Sequence, residues 1–120
     1  MSLLSEESMQ KLTAHITGLV RQEVEQESLL ADRAKMPGAV LSQELVNTRA
    51  QLAKLRWVQS VDRAAWKDRQ NDVEKRQLVV QAQLGALTHI SDGPAYQAAR
   101  DLILSLHGQS SALNWALLVL

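Results

Sequence analysis

The side chains able to do chemistry in this chain are few and scattered. Three histidines, His15, His89 and His107, are the groups that titrate near neutrality. No two of them stand three or four residues apart, the spacing that sets two metal ligands on one helical face. His89 and His107 could meet across neighbouring helices, but two imidazoles alone make a poor metal site. Glu23, Glu25 and Glu27 alternate along the chain, which turns successive members about 200° apart around a helix, so they do not converge. Asp68 and Asp72 share a face, yet Lys67, Arg69, Lys75 and Arg76 surround them, and a solvated, salt-bridged face is expected. Ser111 follows His107 by four residues, as helical serines often do, and nothing supplies an oxyanion hole. Cysteine is absent and the five glycines are scattered singly, which excludes a thiolate nucleophile, a cysteine-bound metal and a glycine-rich phosphate loop. The expectation is a protein without catalytic residues, cofactor or metal.

Charge bears on the partner. The 120 residues carry 13 basic and 13 acidic side chains, so the bulk basic excess of a phosphate-binding module is missing. One local excess exists. Between Gln51 and Val80, Lys54, Arg56, Arg63, Lys67, Arg69, Lys75 and Arg76 stand against Asp62, Asp68, Asp72 and Glu74. Such a stripe could follow a phosphate backbone, with Trp57 or Trp66 stacked on a base. The interleaved acids repel that backbone, and nucleic acid is not the expected partner. The segment Met1 to Glu7 places acids where a secretion signal needs bases. Residues 102–120 hold no Asp, Glu, Lys or Arg, but His107-Gly108-Gln109-Ser110-Ser111 would put polar groups at a bilayer centre. A cytoplasmic protein that does not enter the membrane is expected, and the lack of cysteine fits a reducing compartment.

The elements that must position these residues read as helices. Leu, Ala and Gln dominate, while four aromatics and no Phe leave too little β-branched and aromatic material for a sheet. Pro37 and Pro94, each beside a glycine, divide one domain spanning 1–120 into three stretches. The first helix covers about 5–35, with Ser5 as N-cap, Glu6 and Glu7 in the first turn, and an apolar stripe through Met9, Leu12, Ile16, Leu19, Val20, Val24, Leu30 and Ala34. The second runs about 39–90 on the period Leu41, Leu45, Thr48, Leu52, Leu55, Val58, Val61, Val73, Val80, Leu84 and Leu87. At roughly 75 Å it outreaches its neighbour. A break in Lys67 to Asp72 is the alternative, but that segment has neither Gly nor Pro. The third covers about 94–119, with Pro94 in its first turn and a seam of Ala95, Ala98, Ala99, Leu102, Ile103 and Leu106; Gly108 either breaks it or merely weakens it. The expected fold is all-α: an elongated antiparallel helical hairpin or three- to four-helix bundle with a long central helix, paired as a homodimer.

Two features suggest an interface. On one continuous helix Trp57 and Trp66 lie about 180° apart, so one is core and the other, Trp66, is either an interface anchor or packed under the third helix. The tail Leu113-Asn114-Trp115-Ala116-Leu117-Leu118-Val119-Leu120 is apolar all round and must enter a core or an interface. Leu113, Trp115, Leu117, Leu118 and Leu120 are therefore candidate contact residues. Within this tail His107, Gln109, Ser111, Ala112, Leu113 and Asn114 resemble the last helix of the TraM-type quorum-sensing antiactivators. The resemblance covers under a tenth of the chain. It implies a small dimeric helical inhibitor that binds a LuxR-type transcription factor. The reading favoured here is a regulator that sequesters a second protein stoichiometrically; a secretion or assembly chaperone, or a structural subunit of a larger assembly, is the alternative.

Overall fold

The computed structural model describes residues 4–32, 38–87 and 93–120, the side chains of 38–42 excepted. The expected helix ends at 35 and 90, Ala34, the Pro37 turn, His89 and the side chain of Leu41 lie outside the described residues. Four helices are present among the described residues: α1 (Glu6–Ala31), α2 (Gly38–Val58), α3 (Arg63–Ala86) and α4 (Pro94–Val119). The all-α bundle expected from composition is the observed fold. Ser5 caps α1 by accepting from the Ser8 amide at 3.2 Å, with Glu6 and Glu7 in the first turn, and Pro94 opens α4.

The long central helix does not exist as one piece. It breaks at 59–62, upstream of the charged segment 67–72, which lies wholly inside α3. No Gly or Pro marks this break; hydrogen bonding does. The Ser60 amide and hydroxyl both donate to the Trp57 carbonyl, at 2.9 and 2.7 Å, and the Trp66 indole Nε1 donates to the Val58 carbonyl at 3.2 Å. The last carbonyls of α2, which a helix end leaves without intrahelical partners, are thereby answered locally. Asp62 then caps α3 by accepting from the Ala65 amide at 2.9 Å. The chain reverses, and Trp66 enters the core at 1% exposure.

The helices run alternately up and down. α4 lies between α2 and α3 and packs mainly on those two, while α1 lies against α2 and only grazes α4. The molecule is accordingly flat, 50 × 35 × 18 Å, with a radius of gyration of 16.2 Å against about 14 Å for a compact chain of this length. The core gathers Leu12 and Leu19 of α1, Leu52, Leu55 and Val58 of α2, Trp66, Val73 and Val80 of α3, and Ala99, Ile103, Leu106, Ala112, Leu113 and Ala116 of α4.

Gly108 does not interrupt α4; it sets how closely α4 and α2 approach. A Cβ placed there would lie 2.5 Å from the Asn47 carbonyl oxygen and 2.9 Å from the Ala50 Cβ. Ala112 and Ala116 continue the small stripe at four-residue steps and are fully buried. Register between α3 and α4 is held by buried Gln70, whose Nε2 donates to Asn114 Oδ1 at 2.7 Å and Ser110 Oγ at 3.1 Å. Gly108→Ala gains roughly 1 kcal/mol of helix propensity but must part the two helices, for an expected net loss of about 1–3 kcal/mol. Gly18, exposed with nothing within 4 Å of an added Cβ, supplies the control. Urea unfolding should show Gly18→Ala stabilised by about 0.5–1 kcal/mol and Gly108→Ala destabilised.

Candidate interaction surface

The residues first considered for chemistry are dispersed by the fold. His15 stacks on Trp115 across α1 and α4, with ring centres 4.0 Å apart and planes at 8°. His107 is exposed. Ser110 accepts from Gln70 as part of the α3–α4 register. Among the described residues no three His, Asp or Glu side chains gather where a metal could sit. The glutamates of α1 correct the sequence reading in part. Glu23 and Glu27, four residues apart, do converge, and both bind Arg49 of α2: Arg49 Nε lies 3.2 Å from Glu23 Oε2, and its terminal nitrogen reaches Glu27 Oε1. The hydrogen bond that Arg49 donates to Glu27 foremost raises the Arg49 pKa above its ordinary value. The shared face of Glu23 and Glu27 is legible from their spacing; Arg49 as the partner is not.

Three surface features stand out among the described residues. The first is an open groove of about 500 Å³ between the far ends of α3 and α4, lined by Gln83, Ala86, Leu87, Ala95, Ala98 and Leu102, among others. Leu102 is 37% exposed, and Val79, one turn before Gln83, is 59% exposed. The seam predicted along α4 is therefore covered at Ala99, Ile103 and Leu106 but open at Ala95, Ala98 and Leu102. None of the described helices crosses this end, because α1 is attached to α2, on the other side of α4. The second is a polar groove of about 440 Å³ lined by Gln22, Gln26, Gln43, Asn47, Thr48 and Gln51, with others. There Gln51 Nε2 donates to Asn47 Oδ1 at 2.6 Å, and the Oε1 of buried Gln26 accepts from no group among the described residues.

The third lies at the α2–α3 reversal. Lys54 Nζ is 4.9 Å and the Arg69 guanidinium carbon 5.3 Å from the centre of the Trp57 ring. Burial first, and the Arg69 charge second, hold Lys54 below its ordinary pKa. Nearby, Arg63 sits 6.0 Å from the Trp66 ring and donates to the Leu117 carbonyl at the end of α4.

No protein-family profile, curated protein or solved structure matches the chain. Function must be read from this geometry.

The contact residues expected from sequence divide sharply. Trp66 is core, packed within its own chain, because the break at 59–62 turns its helix back onto α4. Leu113 is also fully buried, and Leu117 and Leu120 pack against the core. Trp115 is half-buried under His15. Leu118, at 86% exposure, is the tail residue left free, with Val119 at its edge. The tail thus finds most of its cover inside one chain. Of the positions in the TraM-type resemblance, Ala112 and Leu113 serve the core, Asn114 answers Gln70, and His107 and Ser111 face solvent. No described helix is long and apolar enough to cross a membrane.

Burial against Trp115 lowers the His15 pKa from its ordinary value of 6.5. The unfolded chain then takes up a proton more readily than the folded one. The stability from this site is full above 6.5 and is lost as pH falls through 6.5 toward the lower folded value. Melting curves at about pH 7.5 and about pH 5.5 should show a smaller acid-induced drop for His15→Gln than for the wild type. An equal drop in both would show that His15 does not carry the effect.

Proposed function

We propose that the protein acts without catalysis, by stoichiometric binding of another protein whose apolar helix lies in the groove between α3 and α4. The uncovered groove carries this reading. From Gln77 through Leu87 the chain holds no charged side chain, and the same is true of Gly93 through Ala99. Burying an aliphatic side chain such as Leu102, which lines the groove, or Val79, one turn before Gln83, contributes about 1.5–3 kcal/mol when complete. Two antiparallel helices with an alanine floor offer the ridges and hollow that a third helix fills. An uncharged lining selects a partner face that is also uncharged, since a carboxylate or ammonium buried there would be unpaired.

The resemblance of the tail to the TraM-type antiactivators supports a regulator that sequesters its target, such as a transcription factor. For self-association the tail retains Leu118 and the edge of Val119. The binding reading is tested by capturing the partner from native extract, purifying both proteins and measuring the reconstituted complex. A fixed stoichiometry is expected. Leu102→Glu and Val79→Glu should each weaken the complex about tenfold or more, equivalent to about 1.4 kcal/mol, without lowering the melting temperature of the isolated protein. Leu118→Glu should leave it unchanged. Equal affinity for the groove variants would overturn the reading, and concentration-dependent growth into large species would assign the protein to an assembly instead.

A further inference from the structure

We propose that the cations around Trp57 form a docking point for the carboxylates of an acidic segment in the partner protein. One half-buried indole draws together Lys54 of α2 and Arg69 of α3. The ring attracts each cation by about 0.5–1 kcal/mol at an exposed site but carries no charge, so it neutralises neither. They repel each other, and beside burial, the larger cause, the Arg69 charge holds Lys54 below its ordinary pKa. Among the described residues neither has a carboxylate within 4.0 Å. Arg49 is the contrast, since it holds two carboxylates of its own chain. A carboxylate arriving at Lys54 and Arg69 meets two donors already placed and relieves a repulsion that the free protein sustains.

Other features favour a carboxylate over the phosphates of a nucleic acid. Single strands bind by stacking bases on open aromatic faces, and Trp57 packs against the core while carrying both cations. Asp68, Asp72 and Glu74 on the same helix repel an extended polyanion, though a short acidic segment can avoid them. The docking point also lines up with the groove. Arg69, Arg76 and Gln83 recur at seven-residue steps and so share one side of α3, and Gln83 lines the groove. Fourteen residues of helix span about 21 Å. A partner whose apolar helix occupies the groove can therefore place a short acidic end at Arg69 and Lys54. The source of the carboxylates rests on the proposed function, but the docking point itself can be tested without the partner.

Full-length protein is titrated with a hexaglutamate peptide and, separately, with inorganic phosphate and oligothymidylate, following tryptophan fluorescence and binding heat. Hexaglutamate should bind at low salt and weaken as salt is raised. Lys54→Gln and Arg69→Gln should each reduce its affinity about fivefold, a loss of about 1 kcal/mol. Both variants should keep or raise the melting temperature, because the repulsion is gone; a purely structural role would lower it. Leu102→Glu should bind hexaglutamate as the wild type does, so failure of the groove and failure of the docking point are read separately. Absence of hexaglutamate binding at low salt, unchanged affinity in both cation variants, or tighter binding of oligothymidylate or phosphate would overturn the proposal.

Discussion

The closeness of α2 and α4 at Gly108 governs the rest of the architecture. A hydrogen in place of a side chain lets the Asn47 carbonyl and Ala50 come within the space a methyl would occupy, and Ala112 and Ala116 extend that contact along the helix. With α4 seated on α2, α3 packs on its opposite flank. The Gln70 contacts to Ser110 and Asn114 then fix how far α3 slides along it. Trp66, brought round by the reversal at 59–62, fills the end where the two hairpins meet. Leu113 and Leu120 are covered as a consequence, although the tail read alone has no visible shelter.

The same constraint explains what is left open. Because α4 spends one flank on α2 and the other on α3, and α1 sits beyond α2, the four helices form a sheet-like layer rather than a square bundle. Such a layer has two broad faces and cannot close over both ends of its central helix. At the end where Leu4, Trp66 and Leu120 gather, all four helices contribute. At the far end the groove lies between α3 and α4. Surface character follows this division: the uncharged part of α3 lies at the far end, while its charged half lies near the reversal.

Much of the helical frame was legible from single residues. Ser5 with Glu6 and Glu7, and Gly93-Pro94, mark helix starts by capping and by proline geometry, and both stand where expected. The break at 59–62 was not legible, because Val58 and Val61 continue a helical period and no breaker lies between them. What ends α2 is a tertiary donor, the Trp66 indole, joined by a serine that folds back on Trp57; neither is visible until the chain has already turned. The groove was hidden for a related reason. Ala95, Ala98 and Leu102 have the periodicity of a seam, and periodicity identifies an apolar face without saying whether anything covers it. The clustering of Lys54, Arg69 and Trp57 depends on the same turn, since an unbroken helix would hold Lys54 and Arg69 about 22 Å apart.

The attachment of α1 has a consequence for motion. Its first half is bound through Leu12, Leu19 and the stacked pair His15 and Trp115, whereas beyond Gln22 it offers exposed Val24, a buried glutamine oxygen that no group among the described residues answers, and ion pairs that reach α2 through half-exposed side chains. Local opening is cheapest where few apolar contacts must be given up. Backbone amides should therefore exchange with solvent deuterium in a graded order along α1, fastest from Glu23 to Ala31 and slowest around Leu12. Added salt should quicken the first group and leave the second almost untouched, so that a single helix would report two kinds of anchorage, one ionic and one apolar.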